Sequence, residues 1–469
     1  MSGQLNVSWE IKIPFLEPDG WYFWSSDILG DERNNGLSSV EESAGLSMGT
    51  ERVLRRAFEL SLNRHMGWDL SKLTSLEDAF IDASRIFKRG VACRKKNGEI
   101  ISSKKNGSYD VVLYDEDIRG LNRYLDSTSF VIADRKVWDI WGDKISSREV
   151  FLFSFDENSK ILSSIEGLVS TWKGSGRKAN WIIIGGGVIS DMAAFAADLC
   201  GCSFVLVPTT LLSIVDACVG GKTGVNYPPY GKNQIGSFAF PKKVVVYSEW
   251  LSSLDARLIR AGASECYKHA MLIGDRNLMK KITDAIHDRG YRSFGSILKD
   301  LINVKVSIIE KDSTESGQRA TLNLGHTLAH ALEGISQSEN TGEKVILHGE
   351  AVNIGLAFSS ILSWKLSYFT EMDVSYIIGL LKSAGSLMTK KELIEHLGLE
   401  DLLSEDFWRR MMKFFFMDKK ATDCLGNDTR WVILKSFGIP FCSEKGQYTI
   451  SVKEDLLKES WSYLCSILG

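Results

Sequence analysis

The chain has 469 residues, 44% of them apolar and 25% charged, with 56 lysines and arginines against 59 acidic residues and a net charge of −3. That length exceeds one ordinary core and predicts two or three domains, while the near-balance of charge gives no basis for a nucleic-acid or anionic-membrane partner. No apolar run reaches transmembrane length, the polar start MSGQLNVSWE lacks a signal-peptide pattern, and the eight cysteines form no CxxC pair, which fits free thiols in a reducing cytoplasm.

In chain order, residues 1–107 read as an N-terminal extension of unknown role. FLEPDGWYFWSSDILGDERNNGLSSVEESAGLSMG mixes aromatics with Gly, Ser and acidic residues and holds no period. Residues 51–90 carry apolar positions at three- and four-residue spacing and predict helix. RKKNGEIISSKKNGS, 94–108, reads as a hairpin or linker. From Tyr109 the runs YDVVLY, SFVIAD, VFLFSF, NWIIIGGG, SFVLVPTT and KVVVYS alternate with helical patterns, which predicts an α/β domain with a mainly parallel sheet over 108–250. Strand signals then fade, apart from RWVIL near 430–434, and 251–469 reads as a mostly helical domain.

WIIIGGGVISDMAAFAA is a strand, three glycines (Gly185, Gly186, Gly187) and a helix. Glycine lets backbone approach a ligand, and the helix N-terminus offers N–H groups to an anion such as a dinucleotide pyrophosphate. The pattern is not GxGxxG, and simple packing explains such a turn about as often. DACVGGKTG has the GKT of a Walker A loop but Asp216 where that loop needs Gly, so an ordinary P-loop is rejected. GGKTGVN and YGKNQIGSF still set Lys222 and Lys232 among glycines, where lysine often binds phosphate; each lysine alone would more often be a solvated surface group.

Of seven histidines, three fall close together: His326 and His330 in LNLGHTLAHALE, and His348 in LHGEA. Residues four apart share a helix face, neutral imidazole binds zinc, and Glu265 in AGASECYKHAML offers a carboxylate, with Lys268 one turn on. His65, His287 and His396 read as ordinary core or surface residues. A catalytic zinc ion takes three protein ligands and keeps one position open, so the four groups exceed the need and one of them is an acid–base or supporting group.

The order GGGVIxD, VPTTLL, VDAxVGGKTGVN, GKNxIGxF, AxxExxKH, RxxLNxGHTxxHAxE and LHGEAV resembles 3-dehydroquinate synthase, within the sugar phosphate cyclases, over roughly residues 109–465. The resemblance implies a Rossmann-like, mainly parallel-sheet NAD domain followed by a mostly α-helical metal-binding domain. It implies NAD and Zn²⁺ (Co²⁺ as a substitute) as cofactors, a small-molecule sugar phosphate substrate, and a cytoplasmic homodimer in the shikimate pathway. Glu265, His326 and His348 match the metal ligands, and His330 the acid–base or positioning group. Gly185, Gly186, Gly187, Asp191, Thr209 and Thr210 match the dinucleotide site, as do Glu157 and Lys160 in FDENSK. Asp134 falls on the family's DxN, where Lys136 replaces the Asn. Asp216, Lys222, Lys232, Asn233, Lys268, Lys305, Arg319 and Asn323 match substrate-facing positions. Asp418, Lys419 and Lys420 resemble the last lysine-bearing motif, and the spacing from Lys305 through Asp312 and Glu315 to Arg319 agrees with the family run.

The implied chemistry is transient oxidation of a ring hydroxyl by bound NAD⁺, phosphate elimination, re-reduction, and ring opening and closure to a carbocycle. Two departures stand out. Where the family has a YxRG-like stretch whose arginine reaches the substrate phosphate, ADLCGCSF holds neither Arg nor Lys, and SLDARL replaces TLPxRE. A charged hydrogen bond of that kind is worth about 1.5–3 kcal/mol. The alternatives are a sister cyclase acting on another heptulose phosphate such as sedoheptulose 7-phosphate, a metal-dependent alcohol dehydrogenase, and a non-catalytic scaffold. Retention of GGKTGVN disfavours the first, and the lysine–arginine set disfavours the second.

Overall fold

The computed structural model describes residues 110–469 except 115–116, 147–148, 228–230, 289–290, 313–316, 340–344 and 418–427, together with two short paired stretches, Trp21–Tyr22 and Arg94–Lys95. The helix expected over 51–90, most of the polar stretch 94–108, Glu315, and Asp418, Lys419 and Lys420 lie outside the described residues.

Six strands form one sheet: β1 (Asp110–Tyr114), β2 (Ser129–Asp134), β3 (Val150–Phe153), β4 (Asn180–Gly185), β5 (Ser203–Pro208) and, after the hairpin below, β8 (Lys243–Tyr247). Their order is β1-β8-β5-β4-β2-β3, with parallel pairing of β2 to β3, β2 to β4, β4 to β5 and β5 to β8. The six apolar runs named above supply these strands. Phe130 to Ala133 and Trp181 to Ile184 are buried without alternation, as expected where helices cover both faces of a parallel sheet. Between the strands run α1 (Arg135–Trp141), α2 (Leu162–Gly174) and α3 (Gly187–Leu199). The glycine-rich segments around Lys222 and Lys232, expected as loops, are instead an antiparallel hairpin of β6 (Lys222–Tyr227) and β7 (Gly231–Phe238). Sequence propensity hides it because Gly224 and Gly236 face each other across the pair. A Cβ on Gly236 would lie 2.1 Å from the Thr223 carbonyl oxygen, so these strands pair only by lacking the β-branched residues that normally mark a strand.

The helical part comprises α4 (Ala256–Ile273), α5 (Arg276–Asp288), α6 (Tyr291–Lys311), α7 (His326–Glu339), α8 (His348–Lys365), α9 (Glu371–Ser383), α10 (Lys390–Leu397), α11 (Glu405–Met417) and α12 (Glu454–Leu468), with four short strands between 429 and 452. Asp255 caps α4 through the Leu258 N–H at 2.8 Å, and Gly274, at φ +74°, ends it. In α8 every residue from Gly349 to Ser363 is buried, the pattern of a helix at the centre of its domain. By contact the chain divides into two compact units. One holds Asp117–Pro208 and Gly221–Val246, and the other holds Thr209–Gly220 and Tyr247–Gly469.

Candidate active site

Three helices of the second unit supply the histidine–carboxylate cluster, and glycine decides how closely they meet. At Gly349 a Cβ would lie 1.8 Å from the Ala261 carbonyl oxygen of α4, and at Gly355 one would lie 1.9 Å from the Gly325 carbonyl oxygen just before α7. Backbone therefore touches backbone where α8 crosses α4 and the start of α7. That contact brings Glu265 (α4), His326 (α7) and His348 (α8) together, with one ligand atom from each all within 4.8 Å of one another. The Nε2 atoms of His326 and His348 lie 3.5 and 3.7 Å from Glu265 Oε1. His330 sits beside them, exposed, its ring 5.6 Å from that of His326 and 6.5 Å from that of His348.

The donor set suits a divalent ion. Both Glu265 oxygens are buried without a well-oriented hydrogen-bond donor, though Lys268 Nζ pairs with Oε2. Burial opposes the Glu265 charge, but Lys268 outweighs it and holds the carboxyl well below the usual range. Burial, then Lys268, pushes the His326 imidazole well below its usual value, so it is a neutral donor, the form that binds metal. His326 Nδ1 faces the Leu324 carbonyl oxygen at 3.1 Å, which leaves Nε2 turned to Glu265. His348 is the opposite case: burial opposes its charge, yet the Glu333 and Glu265 carboxylates raise it to about 10.

Next to this triad lies a charge cluster centred on Asp216, which sits on a π-helical turn, Ser213–Ala217; such wide turns are frequent at functional sites. Lys305 Nζ donates to Asp216 Oδ1 at 2.7 Å and also to its carbonyl oxygen. Lys268 Nζ lies 3.7 Å and His269 Nε2 4.0 Å from Oδ1. Burial opposes the Asp216 charge, and Lys305 and Lys268 override it, so its carboxyl stays well below the usual value. Lys268 is raised by Glu265 and Asp216 against the effect of burial, whereas burial lowers Lys305. Buried His269 falls to about 4, by burial and then Lys268. Asp216, Glu265 and His269 also lie within 4.8 Å of one another, but two ammonium groups already occupy that charge, so the Glu265–His326–His348 set is the better metal site. Arg319 donates through Nη2 to the Gly220 carbonyl oxygen at 2.8 Å, and its N–H to Asp312 Oδ2 at 2.9 Å. Asn323, half-buried, donates to the Ala320 carbonyl oxygen. Thr210 and Ser213 bond each other across the turn, and Thr209 is buried.

In the first unit the three glycines join β4 to α3. A Cβ on Gly185 would meet Ile189 Cγ2 at 2.3 Å and Asp134 Cβ at 3.2 Å, so the turn passes against the carboxyl end of β2. Helix α3 starts at Gly187 without a side-chain cap, which leaves its first N–H groups for an anion, the fit a pyrophosphate needs. Asp134 caps α1, accepting from the Lys136 and Val137 N–H groups. Lys160, 4% exposed, donates at 2.6 Å both to Asp191 Oδ2 and to Asn233 Oδ1. Asn226 accepts from the Asn233 N–H at 2.9 Å and donates to Glu157 Oε1 at 2.8 Å, while Lys232 lies 4.0 Å from that oxygen. Expected cofactor residues and expected substrate residues thus share one mesh, while Lys222 is exposed at the start of β6. Sequence reasoning passed over Asn226, His269 and Glu333. Only the last carried a signal, lying one turn beyond His330 on the same helix face. The stretch ADLCGCSF closes α3 and opens β5, with the Cys202 N–H bonded to the Ala197 carbonyl oxygen and Gly201 at φ +65°.

The family profile described as 3-dehydroquinate synthase N-terminal matches residues 151–261, and that described as 3-dehydroquinate synthase C-terminal matches 262–421. A 3-dehydroquinate synthase of a Picosynechococcus strain is 36% identical over 300 residues, covering 59% of this chain and 80% of its own. That of Campylobacter jejuni is 34% identical over 336 residues, covering 68% and 89%. Among solved structures, a 2-epi-5-epi-valiolone synthase from Streptomyces hygroscopicus with NAD⁺ and Zn²⁺ bound superposes with TM-score 0.65 at 21% identity, over 79% of this chain and 100% of that one. A 2-deoxy-scyllo-inosose synthase complexed with carbaglucose-6-phosphate, NAD⁺ and Co²⁺ gives 0.63 at 21%, over 75% and 96%. At such identity these two establish a shared fold.

Proposed function

Because the chain belongs to the 3-dehydroquinate synthase family, we propose that it is a phosphate-eliminating cyclase converting 3-deoxy-D-arabino-heptulosonate 7-phosphate to 3-dehydroquinate. The observation that carries this reading is the convergence of Glu265, His326 and His348 beside the Asp216–Lys268–Lys305 cluster within one unit. A dehydrogenase needs the former but has no use for the latter.

When bound, NAD⁺ accepts and returns a hydride, and a divalent ion polarises the hydroxyl being oxidised. Glu265, His326 and His348 are the residues that would hold the ion. Gly185, Gly186, Gly187, Asp134, Glu157, Lys160, Asp191, Thr209 and Thr210 would hold the dinucleotide. Lys222, Lys232, Asn233, Arg319 and Asn323 bind the phosphate and carboxylate, with Lys419 and Lys420 assigned to the same anions by resemblance. Lys268 and Lys305 start out paired with Glu265 and Asp216. They therefore stabilise charge developing on the substrate, while their own charges are offset by those two carboxylates. His330, exposed beside the triad, takes the hydroxyl proton on its imidazole. The ketone acidifies the neighbouring C–H, whose proton passes to an oxygen of the departing phosphate as the C–O bond breaks with its electron pair on phosphate, and His330 gives its proton back to the oxygen when the ketone is reduced to the alcohol again. Ring opening and an intramolecular aldol form the carbocycle, with no net oxidation.

The same reading makes the protein a cytoplasmic homodimer of the shikimate pathway. The family resemblance supports this. It keeps residues 1–107 as an extension, 108–250 as the NAD-binding domain and 251–469 as the metal- and substrate-binding domain. One feature favours a second substrate: ADLCGCSF supplies no cation where the family places a phosphate-binding arginine. The test follows phosphate release and carbocycle formation from the proposed substrate with catalytic NAD⁺ and Zn²⁺. Turnover without net NADH supports the proposal. Turnover of sedoheptulose 7-phosphate instead assigns a sister activity, and stoichiometric NADH assigns a dehydrogenase.

A further inference from the structure

Against the metal triad lies a fourth side chain, a carboxyl group that the mechanism above does not use. Glu333 lies on α7, seven positions after His326, and is 2% exposed. Its Oε2 is 3.1 Å from Nδ1 of His348, the ring nitrogen opposite the one that faces Glu265. The other histidine of the triad is oriented differently, by the Leu324 backbone carbonyl at 3.1 Å from its Nδ1. One imidazole is thus held by a neutral acceptor and the other by a buried carboxylate.

We propose that Glu333 is a positioning residue of the metal centre: it accepts the Nδ1–H of His348, fixing the tautomer that presents Nε2 as the metal donor and strengthening that donor. Two physical arguments carry this. An imidazole can give its lone pair to a cation at Nε2 only if the proton sits on Nδ1, and a carboxylate at hydrogen-bond distance from Nδ1 holds it there. The second is burial. A carboxylate at 2% exposure is costly to keep charged without a partner, and His348 is a partner the geometry provides. Because α7 carries both His326 and Glu333, one helix supplies one ligand directly and aims the other. The inference rests on the reading of Glu265, His326 and His348 as ligands.

The experiment measures Zn²⁺ and Co²⁺ affinity of the metal-free full chain by competition with a chromophoric chelator, for wild type, E333Q, E333A and the ligand variant H348A. Far-ultraviolet circular dichroism confirms that each is folded. E333A is expected to bind both metals 10–100-fold more weakly. E333Q, which keeps an acceptor oxygen but not the charge, is expected to lose less than E333A. At saturating Co²⁺ the visible absorption bands of E333A are expected to shift, because the His348 ring is no longer held, with NAD⁺ affinity unchanged. A merely structural role would lower melting temperature and leave the Co²⁺ bands and metal affinity where they are. Wild-type metal affinity and bands in both Glu333 variants, with H348A impaired, would overturn this proposal alone. Wild-type affinity in H348A as well would overturn the ligand reading beneath it.

Discussion

Asp216 shows how much of the site rests on single charges. It faces Lys305 at 2.7 Å and Lys268 at 3.7 Å, both nearly buried, with its own side chain 21% exposed. Removing its charge leaves two ammonium groups with Glu265 alone, and breaking a buried pair by deleting one partner costs about 3–5 kcal/mol. Asp216→Asn is therefore expected to lower the unfolding free energy at pH 7, read from urea denaturation, by an amount in that range and to abolish most turnover. The sign with pH follows from the depressed carboxyl. A group whose folded value lies below its unfolded value near 3.8 contributes stability that is complete above that value. It is lost as pH falls through the folded one. The gap between variant and wild type should hold constant above about pH 5 and close only in strong acid; a gap that closes at neutral pH would refute the assignment. At this scale the sequence revealed partners on one helix, such as Glu265 and Lys268 three apart. It could not reveal Lys305 with Asp216, 89 positions apart, nor the mesh of Lys160, Asp191, Asn226 and Asn233, since such pairings exist only after folding.

Elements converge on the metal site because particular glycines let helix backbones touch. Gly355 is the sharpest instance: α8 presents it to Gly325, itself at φ +81°, so the start of α7 can bring His326 within reach of His348. A methyl group at 355 would sit 1.9 Å from a backbone oxygen, which no rotamer change relieves. Gly355→Ala should push α7 and α8 apart, cost at least the 1–3 kcal/mol typical of overpacking, and weaken zinc binding at least tenfold. Thermal melting and chelator competition on the purified variant read the two effects, and wild-type values in both would refute this account of the crossing. Strands rich in Val, Ile and Phe declared themselves in the sequence, because a buried parallel strand is apolar at every position. The hairpin β6–β7 did not, since close strand approach at Gly224 and Gly236 removed the residues by which a strand is recognised.

For the whole molecule, fold class was legible because alternating strand and helix patterns end abruptly near Tyr247 and give way to helices. Less legible was the membership of 209–220. These residues fall between two strands of the sheet in sequence, yet cluster with the helical unit and carry Asp216 into it. That arrangement puts the whole carboxylate–imidazole centre and its lysines in the unit that metal should stabilise. An ion that binds the folded chain and not the unfolded one adds about 2.7 kcal/mol at a hundred times its dissociation constant. Two imidazoles with one carboxylate favour zinc and cobalt over magnesium and calcium, which prefer all-oxygen sites. Chelation should therefore lower the melting temperature. Zn²⁺ or Co²⁺ should restore it while equal Mg²⁺ does not, and Glu265→Gln, which also leaves buried Lys268 without that carboxylate, should melt below the chelated wild type and at the same temperature with or without zinc. Restoration by Mg²⁺ would mean that the ion is held by oxygen atoms elsewhere, and the imidazole pair would then have lost its claim to the metal.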